Sequence, residues 1–253
     1  MKLTDDQMKL FFSHVGAGPI DKAKIVVFGN EMGTAAGKGS TEKTIESLID
    51  DWSKRKILHV GEGFVALDVG TLPVNSIFLR CISRMALAIR YNEPRFFDKL
   101  SNEGNVFLNK YILEELYRTD VAVLNLKPLP KGTGKHWSYE NIGEKEYYNL
   151  FNFVHQKVPE STWKNFRVNI LKEAFQLAKN SLILGSGDRH NKKEFLKIVY
   201  PGIEFESKTL DGNVQIYVSN YPRVILSNYY SSYRGLGLKG LKTIFYYIQE
   251  NYL

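Results

Sequence analysis

Only one cysteine, Cys81, occurs among 253 residues, so no intramolecular disulfide can form. Without a Cys-x-x-Cys pair there is also no thiolate frame for zinc or an iron–sulfur cluster. The five histidines, at 14, 59, 136, 155 and 190, show no metal-ligand spacing, and no metal or other cofactor is expected. No apolar run approaches the roughly 20 residues of a membrane span, so no membrane partner is expected. The opening MKLTDDQMKLFF is too charged for a secretory signal, which makes a cytoplasmic location the default. Three catalytic signatures are missing as well: a Gly-x-Ser-x-Gly elbow, a P-loop, and a Gly-x-Gly-x-x-Gly turn after the first strand. Gly37-Lys38-Gly39-Ser40 is a near miss for a P-loop that lacks the upstream glycine spacing. These gaps weigh against an unrelated α/β hydrolase or nucleotide-binding protein.

What is present describes an ordinary globular chain, 43% apolar and 24% charged, long enough for one large α/β domain over residues 1–253. A monomer is expected. Lysine and arginine number 34 against 27 acidic residues, a basic balance that suits a polyanion partner only if the cations cluster.

Apolar periodicity places the elements. Thr4-Asp5-Asp6-Gln7 reads as a capping box opening a helix with Met8, Phe11 and Phe12 inward. The run KIVVFGNEMG, Lys24 to Gly33, is a buried strand ending in a polar turn. A small-residue loop (34–39) and a helix from Ser40 to about Trp52 follow, then an extended segment over 63–69. Between Val74 and Arg90, Ile77, Phe78, Cys81, Ile82, Met85, Ala86 and Ile89 share one helical face. A helix near 108–117 precedes a second strand, 121–127, which Pro128-Leu129-Pro130 is expected to end. Helices at 144–156 and 163–179 lead to a third strand, 181–184, closed by Gly185-Ser186-Gly187. The helix 192–199 comes next. An Asp-Gly turn at 211–212 marks a hairpin, read as surface decoration. A fourth strand, 223–226, and a last helix through Ile244 and Ile248 complete the chain. Alternating strands and helices predict a three-layer αβα architecture around a central, mostly parallel four-stranded sheet.

The residues just after the four strands are Gly29-Asn30-Glu31, then Asn125 with Lys127, then Gly185-Ser186 with Arg189 and His190, then Ser227-Asn228-Tyr229-Tyr230 with Arg234. In an open α/β sheet such ends face one edge, where ligands bind. Lys38, Lys131, Lys135, Arg189, Lys192, Lys193, Arg234 and Lys239 fall in or near the same loops. Cations beside amides and a carboxylate suit a nucleic acid whose phosphates meet the cations while one nucleotide enters a polar crevice. Asn125 is a candidate reader of a base edge, since an amide offers a donor beside an acceptor. The bland alternative is an asparagine capping the sheet edge.

These strand ends resemble the uracil-DNA glycosylase superfamily. Its first motif has the form Gly-Gln/Glu-Asp/Asn/Ala-Pro-Gly/Tyr, and Gly29-Asn30-Glu31-Met32-Gly33 is similar to it. Leu124-Asn125 matches the strand end that recognises the base in some members, and Leu184-Gly185 matches the third. Ser227 to Arg234 stand where the family carries its last motif and wedge loop. The resemblance implies a DNA partner, a glycosylase-like fold, and base flipping followed by hydrolysis of the N-glycosidic bond. Glu31 or Asn30 would position the water, and Asn228 would donate to the departing base in place of the family's histidine, which is absent. Met32 and Gly33 would line the base pocket with Asn125. In the strictly uracil-selective branch a tyrosine stands at the Gly33 position and blocks C5 groups. Glycine implies room for a C5-modified pyrimidine, including bulky adducts of the kind phages place on their DNA. Lys38, Lys131, Lys135, Ser186, Arg189, Tyr229, Tyr230, Tyr233, Arg234 and Lys239 would contact DNA. No lysine in the motifs is an evident Schiff-base nucleophile, so monofunctional hydrolysis is expected over lyase chemistry. The alternative is a relative of the same fold that binds modified DNA without cutting it.

Overall fold

The computed structural model describes residues 1–33, 45–46, 49–50, 76–131, 137–154, 161–230 and 235–253, with the backbone alone at 31–33, 130 and 131. Four of its strands are those the sequence points to: β2 (Ile25–Gly33), β3 (Val121–Lys131), β4 (Leu182–Ser186) and β7 (Arg223–Ser227). All four run parallel, side by side in the order β3-β2-β4-β7. The expected four-stranded sheet is nevertheless too small. β1 (Gly16–Ala17) joins antiparallel beside β3, and β5 (Glu206–Leu210) and β6 (Val214–Asn220) add antiparallel strands beside β7, giving one mixed sheet of seven among the described residues. The hairpin read as decoration is therefore part of the sheet. Its inner strand alternates in burial, with Val214, Ile216 and Val218 in the core, which is how a strand packed on one face behaves.

Strand alternation feeds two cores. Ile25 and Val27, Val121 and Val123, Leu182 and Leu184, and Ile225 face α2 (Ile77–Tyr91), α3 (Asn102–Glu114) and α7 (Gly237–Tyr252). Val26 and Phe28, Ala122 and Leu124, Ile183, and Val224 face α5 (Thr162–Leu177) and α6 (Arg189–Val199). Helices thus cover both faces. On the second face Phe28 meets Phe175 edge-on at 4.9 Å and Phe195 at 5.6 Å, rings whose full burial stabilises by about 1.5–3 kcal/mol each. A third core joins α1 (Asp5–Ser13) to α4 (Glu144–Leu150) through Phe11, Phe12, Tyr147 and Phe151.

Local signals set the helix ends. Thr4 and Gln7 form the expected capping box, 2.9 and 3.2 Å. Ser76 caps α2 and Ser101 caps α3, so α3 begins well before the expected 108. In α2, Cys81, Ile82, Met85 and Ala86 are buried as the pattern predicts, whereas Ile77 is 65% exposed. Ile77 is the first residue of the helix, and burial begins two residues on, at Leu79. α4 ends at Leu150 rather than near 156.

The prolines do not end β3. The β2–β3 register shifts between Glu31↔Lys127 and Gly33↔Lys131, so Pro128 and Pro130 lie in the irregular stretch where the ladder asks for no donor. The Leu129 N–H between them donates instead to the Tyr147 hydroxyl, 2.8 Å. The extended segment at 63–69 and the loop at 34–39 lie outside the described residues. So does the helix expected over 40–52, apart from 45–46 and 49–50, which are helical. Among the described residues no helix is long and apolar enough to cross a membrane.

Candidate active site

The parallel register brings the carboxyl ends of β3, β2, β4 and β7 to one edge. The next parallel strand after β2, β3, lies on one side of the β2–β4 pair, and the next after β4, β7, lies on the other. The edge between β2 and β4 is therefore a topological switch point, where an open α/β sheet leaves a crevice.

Lys192 occupies that crevice. It stands in the first turn of α6 with no exposed surface. Its Nζ donates to Asn30 Oδ1, to the Ser186 carbonyl at 3.0 Å and to the Gly187 carbonyl at 2.5 Å, and sits 5.4 Å from the centre of the Phe28 ring. A buried ammonium is tolerated only when its donors are met, and here three N–H groups meet three oxygens with an aromatic face beside them. Asn30, itself 8% exposed, completes the chain by donating through Nδ2 to the Tyr229 hydroxyl, 2.6 Å. The Tyr229 ring is half-exposed and lies against the Gly187 backbone.

Asn125 is placed differently. It pairs in register with Gly29, and a Cβ at Gly29 would stand 2.6 Å from Asn125 Oδ1. The two glycine-edge amides therefore occupy opposite faces of the sheet end: Asn125 with the α2 face, Asn30 with the α6 face. The structure brings Asn30 to Lys192 and Tyr229, and Asn125 to Gly29. Behind Asn125 the fully buried Arg167 donates to the carbonyls of Asn125, of Leu126 at 3.3 Å, of Phe12 at 3.1 Å and of His14 at 2.6 Å. Desolvation lowers Arg167 to about 9, which leaves it charged at neutral pH. Desolvation, and then the Arg167 charge, depress His14 to about 3.

Other expected contacts sort by exposure. Asn228, Tyr229 and Lys239 reach solvent. Arg189 is half-buried, spanning Gln215 at 2.8 and 2.5 Å and lying 5.8 Å over the Tyr217 ring. Two residues assigned to DNA contact are corrected. Ser186 is buried and accepts the Tyr230 N–H at 3.2 Å, and Tyr230 is 2% exposed within the first core. Both belong to the β4–β7 closure rather than to the surface, because strand alternation turns Ser186 inward with Leu184. Lys127 is likewise buried, its Nζ 4.5 Å from the Tyr148 ring. Lys38, Lys135, Tyr233 and Arg234 lie outside the described residues, and of Glu31, Met32, Gly33 and Lys131 only the backbone, in β2 and β3, is described. Among the described residues no group of three or more His, Cys, Asp or Glu side chains could hold a metal ion.

Counting cations in and near the loops puts Lys192 among them and passes over Arg167, yet both are fully buried. Both announce themselves in helical spacing: Lys192 leads the stripe Phe195, Leu196 and Val199, and Arg167 leads Leu171, Ala174 and Phe175. A cation at the head of an inward apolar stripe is a buried cation in need of oxygens.

No protein-family model, no curated protein and no solved structure matches the chain.

Proposed function

We propose that this chain is a monofunctional DNA N-glycosylase with a uracil-DNA glycosylase-like fold, acting on a C5-modified pyrimidine flipped out of DNA. The observation that supports this reading best is the meeting of Gly29-Asn30-Glu31, Asn125, Gly185-Ser186 and Ser227-Asn228 on one sheet edge, in the chain order of the superfamily's motifs. In this reading Glu31 orients the attacking water through its carboxylate, Asn125 reads the base edge, and the exposed Asn228 donates to the oxygen that gains charge as the base departs. Met32 and Gly33 line the space around C5. Lys38, Lys131, Lys135, Arg189, Tyr229, Tyr233, Arg234 and Lys239 hold the strand, the cations at phosphates and the tyrosines at unstacked bases. The enzyme works as a cytoplasmic monomer without a cofactor.

A second reading, a non-catalytic relative that binds modified DNA, is favoured by one observation: the oxygen of Asn30, which could have held the water, is engaged by Lys192. Duplexes carrying uracil, thymine mismatches or bulky C5 adducts, incubated with the protein and assayed for alkali-labile sites, separate the two. Base release from an adduct duplex that drops about 10²- to 10⁴-fold in Glu31→Ala supports the enzyme. Tight binding with no abasic site on any duplex supports the binding protein, and full release by Glu31→Ala sinks the proposed role of Glu31.

A further inference from the structure

Lysine has donors and no acceptor, so the Asn30 amide can face Lys192 only through its oxygen, and its orientation is dictated by chemistry rather than by a choice between indistinguishable atoms. The Nδ2 group is thereby turned the other way, toward Tyr229, a side chain that reaches solvent. We infer that Lys192 is a positioning residue that locks Asn30 as a hydrogen-bond donor at the β2–β4 switch point, so that Asn30 meets its ligand through N–H and selects an acceptor oxygen.

That oxygen is a carbonyl of the flipped pyrimidine, an identity that rests on the glycosylase reading. The Tyr229 hydroxyl occupies its place in the free protein. Neither end of the arrangement is loosely held. Lys192 is fixed by the Ser186 and Gly187 carbonyls as well as by Asn30. An amide free to rotate would offer donor and acceptor alike and would discriminate little. An amide locked by a buried ammonium presents one polarity, and a buried donor left facing a ligand without an acceptor costs about 1–3 kcal/mol. Asn30 is in this role no holder of the nucleophilic water, and the task falls to Glu31.

The test uses the full chain as wild type and as Asn30→Ala, Lys192→Met, Lys192→Gln and the double variant Asn30→Ala/Lys192→Met. Two quantities are measured: exchange of the Asn30 side-chain NH2 protons with solvent in 15N spectra, and single-turnover base release from a C5-adduct duplex. The lock predicts Asn30 exchange slow in wild type and faster by about 10- to 100-fold in Lys192→Met, the ratio set by losing a charged hydrogen bond. Lys192→Gln, which keeps a donor and guards against a misfolded methionine variant, retains part of the protection. Base release falls in Lys192→Met to the level of Asn30→Ala, and the double variant is no slower, because both changes disable one device. Unchanged Asn30 exchange in both lysine variants, or multiplicative losses in the double variant, overturns the inference. If wild type releases no base from any duplex, the glycosylase reading fails, while the exchange measurement still decides whether Lys192 sets the amide.

Discussion

The Arg167 guanidinium donates to the main-chain carbonyl of Asn125, so β3 is held at its midpoint by a charge buried on the opposite side of the sheet from the Asn125 side chain. The same guanidinium ties down Phe12 and His14 ahead of β1 and Leu126 in β3. It fastens the N-terminal segment to the strand that carries the candidate base reader. Arg167→Met keeps a comparable volume and leaves four carbonyl oxygens, two of them in fully buried contacts, without that donor. The expected loss is about 3 kcal/mol or more, measured as a lower urea midpoint with an unchanged slope.

His14 gives a pH dependence of known sign. Its folded-state pKa is depressed from 6.5 to about 3, first by desolvation and then by Arg167, so between these values the unfolded chain binds a proton that the native chain refuses. Stability is therefore complete above pH 6.5 and is lost as pH falls toward 3, by at most about 1.4 kcal/mol per unit. The ring keeps some contact with solvent, which reduces the loss below that ceiling. Urea titrations at pH 7 and 5.5, above the carboxylate range, should show the drop in wild type and a flatter profile in His14→Gln. In Arg167→Met the His14 pKa should rise only partway, since desolvation is the larger cause.

The four parallel strands, the capping box of α1 and most of the inward face of α2 are readable in the sequence because each rests on local periodicity or a local cap. The antiparallel additions are not. Gly16–Ala17 is too short to carry a pattern, and whether Val214–Asn220 decorates or extends the sheet depends on its non-local pairing with β7. The sheet edge was legible as a set of strand ends, while the roles of its members were not. Period-two alternation separates Asn30 from Asn125 once the register Gly29↔Asn125 is known, and the burial of Lys192, Ser186 and Tyr230 follows from packing between elements far apart in sequence.

Gly29 is fixed by the side chain beside it. A Cβ at this position would lie 2.6 Å from Asn125 Oδ1, closer than non-bonded atoms approach, so Gly29→Ala must turn the Asn125 amide away. Because the contact is to a side-chain tip at the sheet edge, the fold should survive, with a stability cost of about 1 kcal/mol. Base or DNA recognition through Asn125 should fall to the level of Asn125→Ala. Binding of modified duplexes by Gly29→Ala and Asn125→Ala, compared by titration at one salt concentration, checks the equivalence. An alanine variant that binds like wild type would remove Asn125 from recognition.

Gly187 tests the other amide. Its φ of +75 favours glycine, and a Cβ would meet the Tyr229 ring at 2.4 Å. Gly202 has a similar φ of +85 with nothing within 4 Å of its would-be Cβ. Gly202→Ala therefore costs the left-handed backbone strain alone, about 1 kcal/mol, or roughly 2–4 °C in Tm for a chain of this size. Gly187→Ala adds displacement of the Tyr229 ring and with it loss of the hydroxyl that accepts from Asn30. The excess destabilisation of Gly187→Ala over Gly202→Ala should vanish when both are made in a Tyr229→Ala background, because the clash then has no partner. Thermal melts of the four proteins measure it. An excess that persists without the tyrosine would mean that the Gly187 backbone, whose carbonyl holds Lys192, is the element being strained.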